Sequence, residues 1–538
     1  MKRCEAKGSL TVFFSLITTL VLSLICTGIE SVRIQGARAQ AVNVAGLGNY
    51  SVFGEFEKKL LEDYELFVVN GAYGTGDFSI ERVNDRLKHF ISCNTNVQQE
   101  GLEGLCFEPW KLKLKSSKIR EYALLTDQNG EAFYQQAVAY MKATAATSIM
   151  RELFQYYTDS QIAKEGQEYY EKEKRASAVQ MQELEKTEEE KKQESLQKES
   201  EETGLTTTEG ELSDAVKKEN PLKTINKLKR KSLLRIVCGS AEISSKTVSN
   251  GRLASKRSRK KGTMKIKEEH GGLASDLLFR EYLLDRFPDY RNRKDSGAGN
   301  DTDSNAGSDT EENSQAEHQR ESRALDYQIE YILCGKKSDE QNLKATVQKL
   351  LLLREGMNYL YIVGNGEMNA QAGSLAALLI GWIGIPALVA VLKHALILGW
   401  AYGESLMDVR VLLDGGKIPL NKTSDTWMVT LDNLGILNEL LEEGGMKQTE
   451  GITYKDYLRM LFCLQSLTQQ KRRALDLLEL NLKTVPGFTS FQVDHCVVGM
   501  KETTEWEIAP VFLRVPMAFL RLAGESWTVS VDSVFAYD

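Results

Sequence analysis

The most apolar part of the chain lies close to its amino terminus. Residues 9–29 contain no charged side chain, and a helix of this length rises about 31 Å, close to the ~30 Å hydrocarbon core of a bilayer. Lys2, Arg3 and Lys7 precede the run, which predicts a cytoplasmic amino terminus over residues 1–8 and export of the chain that follows. A transmembrane anchor over residues 9–29 is therefore predicted.

A cleaved secretory signal is the first alternative to an anchor. Such signals have a shorter apolar region, ~7–15 residues, with a small-residue cleavage site close behind it. Here the nearest Ala-x-Ala, residues 37–39, lies well beyond the apolar run. We therefore favour an uncleaved anchor over a cleaved signal, and both over a helix buried in a soluble protein.

The pattern after the anchor predicts that its helix continues. The chain has no Pro between Glu30 and Tyr64, and an apolar stripe starts at Ile34. Small residues crowd the first half of this stripe, which permits close contact between helices. Such a helix packs either on a partner or on its own domain. Helical periodicity extends further, and residues 30–160 are predicted to form a helical extracytoplasmic segment.

Two polar stretches divide the rest of the chain. Residues 161–220 are rich in Glu, Lys, Gln and Ser and predict a charged low-complexity linker, in which the Glu/Lys spacing supports a transient solvated helix at most. Residues 291–323 are acidic and rich in Gly, Ser and Asn, which predicts a disordered insertion. Residues 221–290, between them, predict a short ordered segment with a helix, a short strand and a basic loop.

Residues 324–538 are predicted to form an α+β domain. Ser338 and Gln341 are typical of a capping box that starts a helix, and Gly356 is placed to stop it. The next stretch, "MNYLYIV", is typical of a strand because it is aromatic and β-branched. Near the carboxyl terminus, apolar residues alternate with polar ones from Trp527 onward, which predicts antiparallel strands.

Residues 375–392 form a second uncharged stretch. Its eighteen residues reach the threshold for another membrane span. However, Gly381, Gly384 and Pro386 divide it into two pieces, each too short for a bilayer. We therefore favour a buried helical hairpin over a second span. The predicted fold class is α+β, with one amino-terminal transmembrane helix, a mostly helical middle, carboxyl-terminal antiparallel strands and two disordered insertions.

Composition narrows the classes of partner and cofactor. The net charge of −7 gives no basic field to attract nucleic acid, so no nucleic-acid partner is expected. The eight cysteines form no Cys-x-x-Cys and the chain has only five histidines, so neither a metal nor a cofactor is predicted. Cys93 and Cys106 would lie in the exported part, where an oxidising exterior would allow them to form a disulfide.

The sequence contains no nucleophile elbow, zinc-protease motif or Walker loop, and we predict no catalytic residues and no enzyme. Glu404, Asp408 and Arg410 follow the second apolar stretch; they suit either an active site or a structural ion pair, and the ion pair is favoured. A basic loop suits either a solvated surface or contact with a polyanion. Its candidate contact residues are Lys256, Arg257, Arg259, Lys260 and Lys261.

Five stretches carry a resemblance to a known family: "GSLTVFFSLITTLVLSLICTGIESVRIQGARAQA", "LLEDYELFVVNGAYG", "EYILCGKKSDEQNLKATVQKLLLLREGMNYLYI", "WAYGESLMDVRVLLDGGKIPL" and "TYKDYLRMLFCL". With them the chain resembles an uncharacterised family of clostridial-type membrane proteins, known as a domain of unknown function. The resemblance implies a Gram-positive cell envelope, a single amino-terminal anchor and no known activity. Members accompany tight-adherence (Flp-type) pilus components, which include the TadE- and TadG-like minor pseudopilins.

The resemblance implies a role and partners. The expected role is a non-enzymatic envelope protein, an accessory or minor subunit of a Tad-like pilus or secretion apparatus. The expected partners are the lipid bilayer and other envelope or pilus-assembly proteins, reached through the amino-terminal helix, and the chain could form homo-oligomers. A surface module that binds wall polymer or a host ligand is the alternative, and an enzyme with a scattered site is the third hypothesis.

The pseudopilin comparison raises the question of processing at Gly8 and Ser9. A prepilin-peptidase site has a Gly before an apolar helix with Glu at the fifth mature position. Gly8 and Ser9 suit the cut, but Phe13 occupies that fifth position. The expected location is therefore the cell membrane, with an uncut single-pass anchor, a cytoplasmic amino terminus and an extracytoplasmic bulk.

Overall fold

The computed structural model describes residues 8–95, 110–198, 221–249, 251, 253–267, 271–295, 323–380, 385–443, 450–513 and 526–537. The chain divides into two compact units. The first comprises residues 1–140, 253–270 and 478–538, and the second comprises residues 141–252 and 271–477.

The described elements follow in chain order. The first are α1 (Gly8–Phe53), α2 (Lys58–Tyr64), β1 (Val69–Asn70), α3 (Ile80–Thr95), β2 (Leu112–Leu124), α4 (Glu131–Thr144), α5 (Thr147–Lys198), α6 (Leu222–Arg230), α7 (Leu233–Cys238), α8 (Gly272–Arg286) and α9 (Tyr290–Asp295). The others are α10 (Gln328–Cys334), α11 (Asp339–Gly364), α12 (Gly366–Ile380), α13 (Pro386–Leu413), α14 (Leu437–Glu443), α15 (Tyr454–Cys463), α16 (Leu467–Thr484), β3 (Cys496–Ile508) and β4 (Trp527–Ala536). This helix-rich chain with antiparallel strands at its end confirms the predicted α+β class.

Helix α1 lies in two environments along its length. Its first half is apolar and exposed, with Leu24 70% accessible, and α1 is long and apolar enough to cross a membrane. In its second half Ala37, Ala41 and Ala45 are fully buried, and Ala41 and Ala45 pack with α3 and the sheet. The helix thus continues past residue 29 as predicted. Of the two alternatives, it packs within its own unit.

A buried ion pair marks the change from the exposed to the packed half of α1. Glu30 and Arg33 lie on successive turns, and Arg33 Nε donates to Glu30 Oε1 at 3.0 Å. Arg33 also donates to the carbonyl oxygens of Trp110 and Ala509, and Glu30 accepts from the amide of Phe512 at 2.8 Å. The pair therefore ties α1 to two loops of its unit.

The sheet of the first unit is antiparallel and centred on β3. Strand β2 pairs with one edge of β3, from Leu112 opposite Ile508 to Leu124 opposite Val497. Strand β4 pairs with the other edge of β3, from Gly499 to Ile508. Strand β1 pairs with the same edge at the start of β3, at Cys496 and Val497. Alternating exposure along β4 confirms the strand predicted from Trp527 onward.

The prediction that residues 30–160 are helical is wrong for β2. This strand has the period-two pattern of a half-exposed strand, with Leu112 and Leu114 between lysines. Its polar face obscures the signal because four lysines and arginines lie among its thirteen residues. The helix after the anchor is also shorter than predicted, since α1 ends at Phe53 and α2 is a separate helix.

In the second unit, α5 corrects the predicted linker. Residues 161–198 belong to this helix, and within them Ala163 and Tyr170 are buried at 0% and 1% accessibility. The buried positions explain the error, because a few apolar residues at helical spacing suffice for packing even where charged residues dominate the composition. Residues 199–220 and 296–322, which hold the rest of the linker and most of the predicted acidic insertion, lie outside the described part of the chain.

Gly356 does not stop its helix. Ser338 caps α11 as predicted, accepting from the amide of Gln341, but α11 then runs through "MNYLYIV" to Gly364, so the predicted strand is wrong. A Cβ added at Gly356 would lie 2.6 Å from the amide nitrogen of Gln167 on α5. Gly356 therefore serves close contact between two helices rather than a helix end. The short strand predicted before the basic loop is likewise wrong, because Leu233–Cys238 form α7.

The second uncharged stretch forms a helical hairpin of α12 and α13, as favoured over a continuous span. Pro386 begins α13, and residues 381–384 between the arms lie outside the described part. The hairpin is not buried as predicted, because Leu378 is 55% accessible and the described residues from 377 to 380 and from 385 to 395 are all exposed or only partly buried. Burial begins in α13 only near Leu396.

Replacing Gly356 with alanine is predicted to destabilise the second unit. The new methyl group would meet the backbone of Gly166 and Gln167, which cannot rotate away, so we expect a loss of about 1–3 kcal/mol in the free energy of unfolding. Gly364→Ala is the matched control on the same helix, because a Cβ there meets nothing within 4 Å. Chemical denaturation in detergent measures both. Equal stability of the two variants would contradict the role given to Gly356.

Candidate functional site

A buried polar cluster joins three helices and a loop of the second unit. Arg354 on α11 donates from Nε to Asp408 Oδ2 on α13 at 2.9 Å, and from Nη1 to Tyr457 Oη on α15 at 3.0 Å. It also donates to the carbonyl oxygens of Pro419 and Leu420, which lie in the loop after α13. Arg354 and Asp408 are both completely inaccessible.

Lys422 links the two carboxylates of this cluster. Its ammonium contacts Asp408 Oδ1 at 2.6 Å and also pairs with Glu404, one helical turn earlier on α13. Glu404 further accepts hydrogen bonds from the amides of Met428 and Val429, the second at 2.7 Å. Two cations therefore balance two carboxylates, and backbone donors also satisfy Glu404 Oε2.

The two carboxyl groups respond differently to this environment. Burial raises the pKa of Glu404 to about 7, although Lys422 acts to lower it. Burial would raise the pKa of Asp408 as well, but Lys422 and Arg354 together hold it below its usual range. A perturbed pair of carboxyl groups is a feature of active sites. Here the side chains are shielded from solvent, so the arrangement first of all stabilises the fold.

The structure does not bring Arg410 to Glu404 and Asp408, with which the sequence groups it. Glu404 and Asp408 do lie in buried ion pairs, but their partners are Lys422 and Arg354. Arg410 points elsewhere: its Nε lies 2.9 Å from Asp414 Oδ2, and it lines a surface cavity. The physical reason is helix geometry, because Asp408 and Arg410 are 200° apart around α13.

Arg410 lines a cavity of about 610 Å³ in the second unit. Helices α7, α13 and α14 and the residues that flank α7 form its walls. The described lining is Lys231, Ser232, Arg235, Ile236, Gly239, Ser240, Arg410, Asn438, Leu441 and Glu442.

Positive charge dominates this cavity. Lys231, Arg235 and Arg410 face one carboxylate, Glu442, among the described lining residues. Lys231 donates to Asn438 Oδ1 at 2.5 Å, and Arg410 lies against Gly239, where a Cβ would meet its Nη1 at 2.3 Å. Gly239, at φ +58°, thereby leaves room for the guanidinium. We call this the cationic pocket, and its charge suits an anionic ligand.

The basic loop of the first unit is held more firmly than a solvated loop. Arg257 forms ion pairs with Glu479, at 2.6 Å, and with Asp494. The amides of Lys260 and Gly262 donate to Asp494 and Asp127. Arg257 is therefore engaged by two carboxylates, while Lys256, Lys260 and Lys261 are exposed and Arg259 is half-exposed. Contact of this loop with a polyanion stays a prediction.

The remaining predicted site residues are only partly described. Cys93 is exposed on α3, whereas Cys106 lies outside the described residues, so their disulfide stays a prediction. Gly8 and Ser9 form the first residues of α1, and nothing in the fold tests a cut between them. In the described part of the chain no group of three or more His, Cys, Asp or Glu suits a metal ion.

Sequence reasoning missed Arg354, Lys422 and the cationic pocket. Arg354 interrupts the apolar run "LLLLREGMNYL", and a charge within such a run is a signal of a buried pair. Lys422 and the lining of the pocket carry no comparable signal. They come together from segments that are far apart in sequence.

One known family matches a region of the chain that includes both the buried cluster and the cationic pocket. The model of a Family of unknown function (DUF5702) matches residues 211–508, more than half of the chain. The chain belongs to this family. The match confirms the resemblance to a domain of unknown function, and α1 lies outside the matched DUF5702 region. No curated protein and no solved structure shows significant similarity to the chain.

Replacing Asp408 with asparagine is predicted to destabilise the second unit strongly. The change keeps the shape of the side chain but leaves Arg354 and Lys422 with too little negative charge in a buried site, which costs about 3–5 kcal/mol. Asp414→Asn is the matched control, because it breaks the pair with Arg410 where Asp414 is 41% accessible, at a cost of at most ~1 kcal/mol. Chemical denaturation in detergent compares the two. A cost for D408N no larger than that for D414N would show that the cluster does not stabilise the fold.

Proposed function

We propose that this protein is a non-enzymatic, single-pass protein of the cell envelope, and an accessory or minor pilin-like subunit of a tight-adherence (Flp-type) pilus or secretion apparatus. The observation that carries the proposal is the division of α1 into an exposed apolar half and a half packed on an antiparallel sheet. A minor pseudopilin has the same plan, a folded head attached to one amino-terminal hydrophobic helix. The analogy is one of architecture.

The orientation follows from charge. Lys2, Arg3 and Lys7 hold the amino terminus in the cytoplasm, and both folded units then lie outside the membrane of a Gram-positive cell. The buried pair of Glu30 and Arg33 lies directly after the last uncharged residue of the anchor, so the first charges of α1 meet protein rather than lipid.

The packed half of α1 also supports a subunit contact. Its outward side carries four large apolar residues, Val32, Val42, Leu47 and Tyr50, each more than half accessible. At 100° per residue these positions fall within one side of the helix, opposite the buried alanines. An exposed apolar stripe of this kind is typical of a helix that packs on another subunit. We therefore assign envelope or pilus-assembly partners to this stripe.

The test is complementation of a deletion strain. We expect deletion to reduce surface pili, the wild-type chain to restore them, and the double variant Val42→Asp, Leu47→Asp to leave them about tenfold reduced. Two charges in an apolar contact cost more than the ~1.4 kcal/mol that corresponds to this factor. Electron microscopy counts the pili.

The matched control is Val179→Asp on α5, because Val179 and Val42 are equally exposed at 54%. This control variant should restore pili fully. Full piliation with the double variant would show that α1 makes no subunit contact through this stripe, and it would contradict the pilin-like role. Unchanged piliation after deletion would contradict the association with a pilus altogether.

A second candidate function is a membrane-anchored binding module for an anionic wall polymer, and the cationic pocket is the observation that favours it. The pocket lies within the DUF5702 region and has three cations in its lining. Repeated phosphates on a polymer could occupy it successively, since Lys and Arg bind phosphate through charge-assisted hydrogen bonds.

The pocket is tested with Arg235→Gln, measured by binding of a fluorescent poly(glycerol phosphate) chain to the full protein in detergent. We expect a loss of about tenfold in affinity, because a charge-assisted hydrogen bond contributes ~1.5 kcal/mol or more. Lys227→Gln is the control with the same change in charge, at an exposed position outside the pocket lining. Equal weakening by both variants would indicate a general charge effect and contradict a specific site.

A further inference from the structure

We propose that the tip of the α12–α13 hairpin, defined as residues 374–380 and 385–392, inserts into one leaflet of a lipid bilayer without crossing it. The inference rests on the membrane anchoring in the proposed function, but not on the association with a pilus. It assigns lipid as the occupant of an apolar surface in the second unit.

The composition of the hairpin is that of a lipid-facing segment. Between Glu367 and Lys393 the chain has 25 consecutive residues without a charge. The described residues near the tip are aliphatic and open to solvent, and Leu378 and Ile385 are 55% and 36% accessible. An apolar surface this continuous is uncommon on soluble proteins and marks a contact with membrane or protein.

The length of the two arms fits one leaflet. The arms are antiparallel, and their register is set where a Cβ at Gly373 would lie 3.8 Å from Lys393 Nζ. Beyond that level, residues 374–380 and 386–392 each continue as seven uncharged helical residues, or about 10 Å of rise. One leaflet of hydrocarbon is ~15 Å deep, whereas a span needs ~30 Å. The uncharged parts of the arms are therefore long enough to enter the bilayer and too short to cross it. Helix α13 as a whole has the length and composition of a span, but 39% of its most apolar window is buried in the unit.

The distribution of exposed residues favours lipid over a protein partner. Ala377 and Leu378 are exposed on α12, Pro386 and Ala387 are exposed in the first turn of α13, and no described residue of 377–380 or 385–395 is buried. Successive helical residues point 100° apart, so these runs leave accessible positions on every side of each arm near the tip, whereas a single stripe would leave one side buried. A partner helix covers a stripe. A fluid apolar solvent covers all sides.

The base of the hairpin has the features of a membrane interface. Lys393 follows the last uncharged residue, and its long aliphatic stem allows its ammonium group to reach the phosphate level while the stem lies along apolar surface. From Leu396 onward α13 is mostly buried in its own unit, so the apolar tip projects from a rigid base. A hairpin that enters and leaves on the same side keeps the second unit on one side of the membrane.

Depth-dependent quenching tests the inference on the full-length chain in lipid nanodiscs. A fluorescent amino acid is introduced at Leu378 or Ile385, at Leu20 in the anchor, or at Leu360, which is 38% accessible outside the hairpin. We expect doxyl-labelled lipid to quench positions 378 and 385 at least threefold more than position 360. A shallow doxyl group should quench them best, whereas position 20 should respond best to a deep one.

Each alternative gives a different result. Quenching at position 20 without quenching at 378 and 385 would overturn the inference and leave the anchor intact. No quenching at any position would contradict both. Protection of position 378 from aqueous iodide without lipid quenching would assign the surface to a second copy or another protein, and a deep profile at 378 and 385 would indicate a complete span.

The variant Leu378→Lys provides a second test in the same experiment. This variant should reduce lipid quenching at position 385 by half or more, because insertion of a lysine beside it is unfavourable. Its thermal unfolding should be unchanged, since Leu378 is exposed. Leu360→Lys is the matched control and should leave quenching at position 385 unaltered. Retained quenching in L378K would overturn the inference.

Discussion

Helix α1 is long and apolar enough to cross a membrane and is packed on protein in its second half, and the first unit is built around that constraint. Helix α1 has no break between Gly8 and Phe53, so its exposed apolar half fixes the direction of its packed half. The first charges after the anchor, Glu30 and Arg33, cannot remain in hydrocarbon at low cost. Their mutual pairing and their bonds to the loops at Trp110 and Phe512 provide the polar surroundings instead. The sheet can therefore begin directly where the anchor ends.

The second unit uses buried charge for a different purpose. Arg354, Lys422, Glu404 and Asp408 occupy positions where aliphatic residues would pack without desolvation cost. The charges add geometric specificity. The hydrogen bonds that Arg354 donates form only when α11, α13, α15 and the loop at Pro419 come together in one arrangement. This fixed frame supports the adjoining turns of α13, including Arg410 in the cationic pocket. The cluster is thus best understood as the support of a site rather than as the site.

The sequence predicted those elements whose signal is local. The long apolar helix at the amino terminus, the cap at Ser338, the hairpin around Pro386 and the alternation after Trp527 each depend on neighbouring residues, and the structure contains all four. Errors arose where contacts distant in sequence decide the outcome. The sequence predicts a helix stop at Gly356 because glycine is common at helix ends. It gives no sign of the close contact with Gly166 on α5, which is 190 positions away in the chain.

The candidate site shows the same limit. Glu404 and Asp408 were found because they share one face of α13, but Arg410 was grouped with them by proximity in sequence alone. Lys422 follows α13 after a turn, and only the folded chain brings it back to Glu404. The cationic pocket draws on segments near residues 235, 410 and 440. No periodic pattern relates such positions, so a site assembled from them is visible only in three dimensions.

The two apolar surfaces left exposed by the folded units differ in a way that indicates their occupants. On the packed half of α1 the exposed residues Val32, Val42, Leu47 and Tyr50 follow one side of a helix whose opposite side is buried. At the hairpin tip, exposure extends over both arms and several faces. A protein partner is a solid with one complementary surface, and it matches the first distribution. Lipid is a fluid that conforms to any apolar outline, and it matches the second. The same chain thus has a stripe suited to a subunit and a tip suited to a bilayer.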